Sequence, residues 1–468
     1  MNREKPEPLL GTEFESLLIK IIDSIFPVNK DDEIKEFFSK KPTEEEISSF
    51  LNESGKNYFR TINNGFKIAQ HYIIDELLKI QSEQKKTKDL LKEARRNKNN
   101  DINVLKNELH LLAYKETTLK HLADTIFWHL IQGQLHIARR FYQYSPGSKK
   151  LEDTNYKTVL EIADKINTNP DNFVLLTDIT NYVQIGDLFG IKDGKNVIIE
   201  VKEGEKNIKI MNDLDALSRS SMTFNSFLQK YENRPHELNQ ILRIIKQNKV
   251  AENEVDIINT DKGYDPVSNK KIHIITPKEE TPYYYNELHQ LEKQLCEQKD
   301  WAYTVIDNCL HIGLYKESWI SLGKPVLEII AKDQGINHKI IVDARSSMKT
   351  TDSPLLFLPF SKQLILDILM GRVIMYLMLD IDKYIKTYEL FGAKCSWVST
   401  KETQKIKEDF KKIPLYIEDH RTIRITNAHG VQSFMAMGTL SKILFNHIKP
   451  TYVAYSSNYY TKEELLDK

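Results

Sequence analysis

Three observations predict a mixed α/β protein. Apolar residues recur at helical spacing through roughly the first 145 positions, two aliphatic strands meet at an Asp-Gly turn at 193–194, and short strands alternate with helices after 283. The chain accordingly divides into a helical module over 1–148, an α/β core over 149–282 and an α+β module over 283–468. At 468 residues it outgrows one ordinary core, and 40% apolar with 28% charged residues suits globular folding. Lys and Arg total 66 and Asp and Glu total 66, so the formal net charge is zero and any nucleic-acid contact must rest on local basic patches. Cys296, Cys309 and Cys395 are too scattered for a disulfide framework or a zinc knuckle and read as core thiols of a reducing, cytoplasmic setting. No secretory signal opens the sequence, and the most apolar stretch, 355–381, is interrupted by Lys362, Asp367 and Arg372, so no membrane span is expected.

The helical module opens with Thr12 and Glu15 spaced as a capping box, ahead of Phe14, Leu17, Leu18, Ile21 and Ile22 on one side of a helix. Thr43 and Glu46 repeat the spacing, with Gly55 as the expected stop. A long helix from about 65 carries Ile73, Ile74, Leu77 and Leu78, turns polar from Gln84 to Lys98, and reverses at Asn99-Asn100-Asp101. The returning arm runs from Ile102 through Leu122, Phe127 and Leu135, and Tyr144-Ser-Pro-Gly147 ends it. This predicts a helical hairpin. Its basic tip, Lys85 to Lys98, is interspersed with Glu83, Asp89, Glu93 and Asp101, which favours a solvated face over a phosphate contact. His129 and His136 sit among Phe127, Leu130 and Leu135 and read as packing or surface histidines.

In the core, a helix over 155–168 and a strand over 173–178 precede the decisive segment, 183–202. Val197, Ile199 and Val201 alternate with Ile198, Glu200 and Lys202, so Glu200 and Lys202 share one face of a strand. Gly194 supplies the positive φ of a tight hairpin after Asp193, so 183–191 should fold back on 196–202 and carry Asp187 toward Glu200. Two carboxylates beside an amine are what a hard divalent cation and a phosphate require: the oxygens ligate Mg²⁺ or Mn²⁺, and the ammonium orients water or stabilises developing charge. A helical tract over about 210–247 and a strand over 271–277 complete the core.

Asp187, followed by Glu200-Val201-Lys202, resembles the signature of the PD-(D/E)xK nuclease superfamily, and the order of elements over roughly 155–280 is similar to the α-β-β-β-α-β restriction-endonuclease-like core. Gly186 stands where the family's proline usually precedes the acid. The resemblance implies a metal-dependent endonuclease acting on DNA. In it Asp187 and Glu200 are metal ligands, the Val201 carbonyl is an additional ligand, Lys202 positions the attacking water, and Mg²⁺ or Mn²⁺ is the cofactor. Glu161 on the first core helix is a candidate auxiliary acid, and Gln240 and Arg243, three apart on a helix, are candidate nucleic-acid contacts. It also points to a restriction or phage-defence effector, working as a homodimer or in a larger defence complex. The alternative is a catalytically inactive nucleic-acid-binding or scaffold protein with a nuclease-like core.

The last module reads as a helix over 285–299, strands over 301–307, 310–315 and 340–343, an apolar helix over 361–389, strands over 396–399, 414–417 and 422–426, and a helix over 430–448. It contains no Gly-x-x-x-x-Gly-Lys phosphate loop, and the spacing of Asp343, Arg345, Asp380 and Asp382 matches no known metal or catalytic cluster.

Overall fold

The computed structural model describes residues 10–27, 44–98, 101–142, 150–202, 205–219, 223–232, 234–260, 262–264, 271–273, 281–298, 300–409 and 414–457. The chain forms two compact units, Lys20–Ile275 and a second made of Thr276–Lys468 together with Met1–Ile19. Helices and strands mix in both, and every pairing between the described strands is antiparallel.

Helix α1, Thr12–Ile25, begins at Thr12 itself. The expected capping box does not form, because Gly11 O accepts from Glu15 N–H and the Glu15 carboxylate turns to Arg372. Helix α2, Glu44–Arg96, continues through Gly55, where a stop was expected. One glycine lowers helix propensity by only about 1 kcal/mol, which a helix of this length absorbs. The Thr43–Glu46 pair lies outside the described residues. Gly65 has a steric role: a Cβ there would lie 2.0 Å from Ser24 O, so its absence lets the two backbones touch.

Helix α3, Ile102–Leu130, returns against α2 to make the expected hairpin. It stops short of Leu135 because Gln132 and Gly133 take φ of 54° and 71°, and a short helix α4, Leu135–Arg140, follows. The predicted end at 144–147 lies outside the described residues. His129 packs edge-on against Phe26 at 5.1 Å, and burial pushes its pKa down to about 4. It serves the packed interior.

After α5, Tyr156–Ile166, strands β1, Phe173–Leu176, β2, Leu188–Lys192, and β3, Lys195–Ile199, form a meander in that order. Asp193 and Gly194, at φ of 52° and 75°, turn the β2–β3 hairpin in the predicted way. Phe189 of β2 meets Phe127 of α3 at 5.1 Å and Phe141 at 4.9 Å, which seats the sheet on the helical hairpin. Gln70 of α2 reinforces this by accepting from the Leu176 N–H at 2.9 Å, and Asp124 of α3 by accepting from the Asn181 N–H at 3.0 Å.

The expected single helical tract is three helices, α6, Glu205–Ser218, α7, Phe224–Tyr231, and α8, Pro235–Thr260. The later strand, β5, Lys271–His273, pairs with β4, Lys262–Tyr264, in a separate two-stranded sheet and does not join the meander. The cause is local. Asn253 of α8 bonds both the N–H and the carbonyl of Tyr264, and Gly263 lies against Ile257, so β4 is fastened to the helix that precedes it.

In the second unit, α9, Tyr285–Gln298, leads into β6, Trp301–Ile306, β7, Leu310–Lys316, α10, Gly323–Asp333, β8, Lys339–Asp343, α11, Lys362–Met370, and β9, Val373–Asp380. The sheet order is β6-β7-β9-β8. The apolar stretch 361–389 is therefore helix, strand and helix instead of one helix. Gly371 closes α11 in the left-handed conformation, and Asp380 caps α12, Ile381–Glu389, by accepting from Lys383 N–H. A smaller sheet of β10, Lys394–Trp397, β11, Ile423–Thr426, and β12, Gln432–Phe434, includes helix α13, Thr400–Asp409, in its first connection. The expected helix over 430–448 splits into β12 and α14, Met437–Leu444, and α15, Pro450–Ser457, follows. Among the described residues no helix is long and apolar enough to cross a membrane.

Candidate functional site

Asp187 and Glu200 flank the ends of β2 and β3 instead of lying inside them. The β2–β3 ladder ends with Leu188 facing Ile199, yet the Asp187 N–H also donates to Ile199 O at 2.9 Å. The register thus slips by one residue, as at a bulge, and such irregularities re-aim side chains. The slip frees the Asp187 carboxylate to take the place of backbone: its Oδ2 accepts from the Val201 N–H at 2.6 Å. On the other side the Asp187 carbonyl accepts from Thr177 N–H at 3.1 Å, in line with the β1–β2 pairing.

Gly186 makes the slip possible. Its φ is 76°, and a Cβ would lie 2.5 Å from Ile198 Cγ2. Proline, fixed near −65°, cannot stand here.

Glu200 and Lys202 lie just beyond β3 and share a side as predicted: Lys202 Nζ donates to Glu200 Oε2 at 3.0 Å. It also donates to Gln247 Oε1 of α8 at 2.9 Å, and the Lys202 side chain is 11% exposed. Burial pushes the Asp187 pKa up to about 6; the Val201 N–H opposes this, the Glu200 and Asp178 charges add to it, and Lys202 partly offsets them. Val201, which follows Glu200 and donates its N–H to Asp187, is buried.

Two residues of this environment were not anticipated. Asp178 sits in the turn Thr177–Ile179 directly after β1, at the polar end of the aliphatic run 173–176, and that position was its only signal. Gln247 is 45 residues from Lys202 and carries no local signal at all.

The remaining candidates lie apart from these bonds. Glu161 is exposed on α5, and no hydrogen bond or ion pair joins it to Asp187, Glu200 or Lys202. Gln240 donates to Asn207 Oδ1 at 3.1 Å, and Arg243, on the same side of α8, is exposed. Among the described residues no group of three or more His, Cys, Asp or Glu side chains is gathered to hold a metal ion. A cation here would depend on two carboxylates.

Comparison of the chain with protein families, with curated proteins and with solved structures gave no match.

Proposed function

We propose that the chain is a metal-dependent endonuclease that hydrolyses phosphodiester bonds of DNA. The observation that supports this reading best is the meeting of Asp187, Glu200 and Lys202 around Val201, through bonds of 2.6 and 3.0 Å, at the open end of a β-hairpin.

The donor set fits a hard divalent cation. Asp187 uses Oδ2 for Val201 and Glu200 uses Oε2 for Lys202, which leaves one oxygen on each carboxylate for a ligand. The upward pKa shift of Asp187 marks a site where burial and like charge disfavour the anion, and a cation relieves both. Mg²⁺ and Mn²⁺ accept one or two carboxylates and complete their shell with water and phosphate oxygens, so a third protein acid is not required. Asp187 and Glu200 would hold the ion, with the Val201 carbonyl as a further oxygen; the bound ion would polarise the phosphoryl group and acidify water.

Lys202 supplies the positive charge. Fixed by two acceptors, its ammonium keeps one further N–H direction for the attacking water or a phosphate oxygen, and needs no reorganisation as negative charge builds. Arg243 and Gln240 on α8 would meet the phosphate backbone beside the site. A role in restriction or phage defence, alone or as a dimer, fits a nuclease core with additional modules.

Supercoiled plasmid with Mg²⁺ or Mn²⁺ provides the test. Wild type should nick or linearise it only with metal, and Asp187→Ala and Lys202→Ala should each lower the rate by roughly a hundredfold or more. Cleavage surviving both substitutions would overturn the assignment. Binding without cleavage by wild type would instead make the chain a nucleic-acid-binding protein.

A further inference from the structure

We infer that Gln247 is the positioning residue for Lys202, and that α8 sets where the ammonium points. The inference rests on the reading of Lys202 as the group that faces water or phosphate.

The starting point is the chemistry of lysine. Its ammonium rides on a flexible four-carbon stem and acts as a point charge, so a lysine that must present charge at one spot needs outside restraint. Glu200, two residues away on the same backbone, supplies one acceptor at 3.0 Å. A bond to so near a neighbour leaves the stem free to swing with the Glu200 side chain. The second acceptor, Gln247 Oε1 at 2.9 Å, comes from a different element and removes that freedom.

Two contacts fix the course of α8. Gln247 meets Lys202, and Asn259 Oδ1 accepts from Asn196 Nδ2 at 3.4 Å. Twelve helical residues span about 18 Å, and the chain from 196 to 202, the end of β3 and the residues just beyond it, spans about 20 Å if extended. Helix and strand therefore run side by side in opposite directions with matched lengths. Held at its middle by Gln247 and near its C-terminus by Asn259, α8 is restrained along its second half, and Gln247 stands beside Lys202 just past the end of β3. Ile244 is fully buried one turn earlier and Ala251 is buried one turn later, so the helix cannot roll to withdraw the amide without breaking its own packing.

The test compares Gln247→Ala, which removes the acceptor while keeping a strong helix former, with Gln247→Glu, which keeps an acceptor oxygen at the same reach. In plasmid cleavage Gln247→Ala should lower kcat about tenfold with KM for DNA within twofold, and Gln247→Glu should restore most of kcat. Independently of cleavage, competitive acetylation of Lys202 with acetic anhydride, read by peptide mass spectrometry, should be slow in wild type and in Gln247→Glu and several-fold faster in Gln247→Ala. An unchanged labelling rate in a Gln247→Ala protein with an unchanged melting temperature would overturn the inference, as would a loss confined to KM. If wild type leaves plasmid intact, the nuclease reading fails, while the labelling rates still decide whether Gln247 holds Lys202.

Discussion

At the scale of single residues, Asp187 carries the most consequence. Its carboxyl is pushed up to about 6 from 3.8, first by burial and then by Glu200 and Asp178. The folded chain therefore holds this proton to higher pH than the unfolded chain does. The group favours folding fully below about pH 4, and that contribution is lost as pH rises through about 6. Asp187→Asn keeps an acceptor for the Val201 N–H and removes the buried charge, so without divalent cation it should melt at a higher temperature than wild type at pH 8. The two should converge at pH 4. Scanning calorimetry at both pH values checks this, and an Asp187→Asn protein no more stable at pH 8 would show that the carboxylate is better solvated than its burial implies. A group that weakens the fold where it is charged is consistent with a position kept for chemistry.

At the scale of elements, two glycines in one helix make opposite predictions. Gly55 has no described atom within 4 Å of its absent Cβ, so Gly55→Ala should stabilise by about 0.5–1 kcal/mol through helix propensity. Gly65 touches the Ser24 carbonyl, so Gly65→Ala should force α1 from α2 and destabilise by about 1–3 kcal/mol. Urea unfolding of the two variants checks both signs.

The same contrast shows what the sequence made legible. Asp193-Gly194 was readable because its turn depends on local φ alone, and the shared side of Glu200 and Lys202 was readable because period-two spacing carries past the end of β3. β9 was hidden within an expected helix: nearly every residue of Val373–Asp380 is buried, so no alternation marks it, and only Gly371 signals the break. Gln247 and Asp178 reach the site through tertiary placement, which no spacing encodes. Likewise β5 was readable as a strand but not its partner, because its pairing is decided by Asn253 on a neighbouring helix.

At the scale of the whole chain, the first turns of α1 belong with the unit built from Thr276–Lys468. Arg372 Nη2 lies 2.7 Å from Glu15 Oε1 and 2.6 Å from Asp367 Oδ1, so one guanidinium ties the beginning of the chain to the turn between α11 and β9. These groups are partly exposed, and a double-mutant cycle of Glu15→Ala with Arg372→Ala should return a coupling of about 0.2–1 kcal/mol that shrinks at high salt. A coupling of zero would mean that the two side chains merely lie near one another.

The other unit is joined in a less dispensable way. Gln70, Gln81 and Asp124 on the long helices accept from the main-chain N–H groups of Leu176, Leu151 and Asn181 at 2.9–3.0 Å, all with little access to solvent. Cut away the helices and three amides lose these acceptors, leaving N–H groups with little access to water. The meander and the segment leading into it thus depend on the two long helices, and the strands expressed without them should not fold.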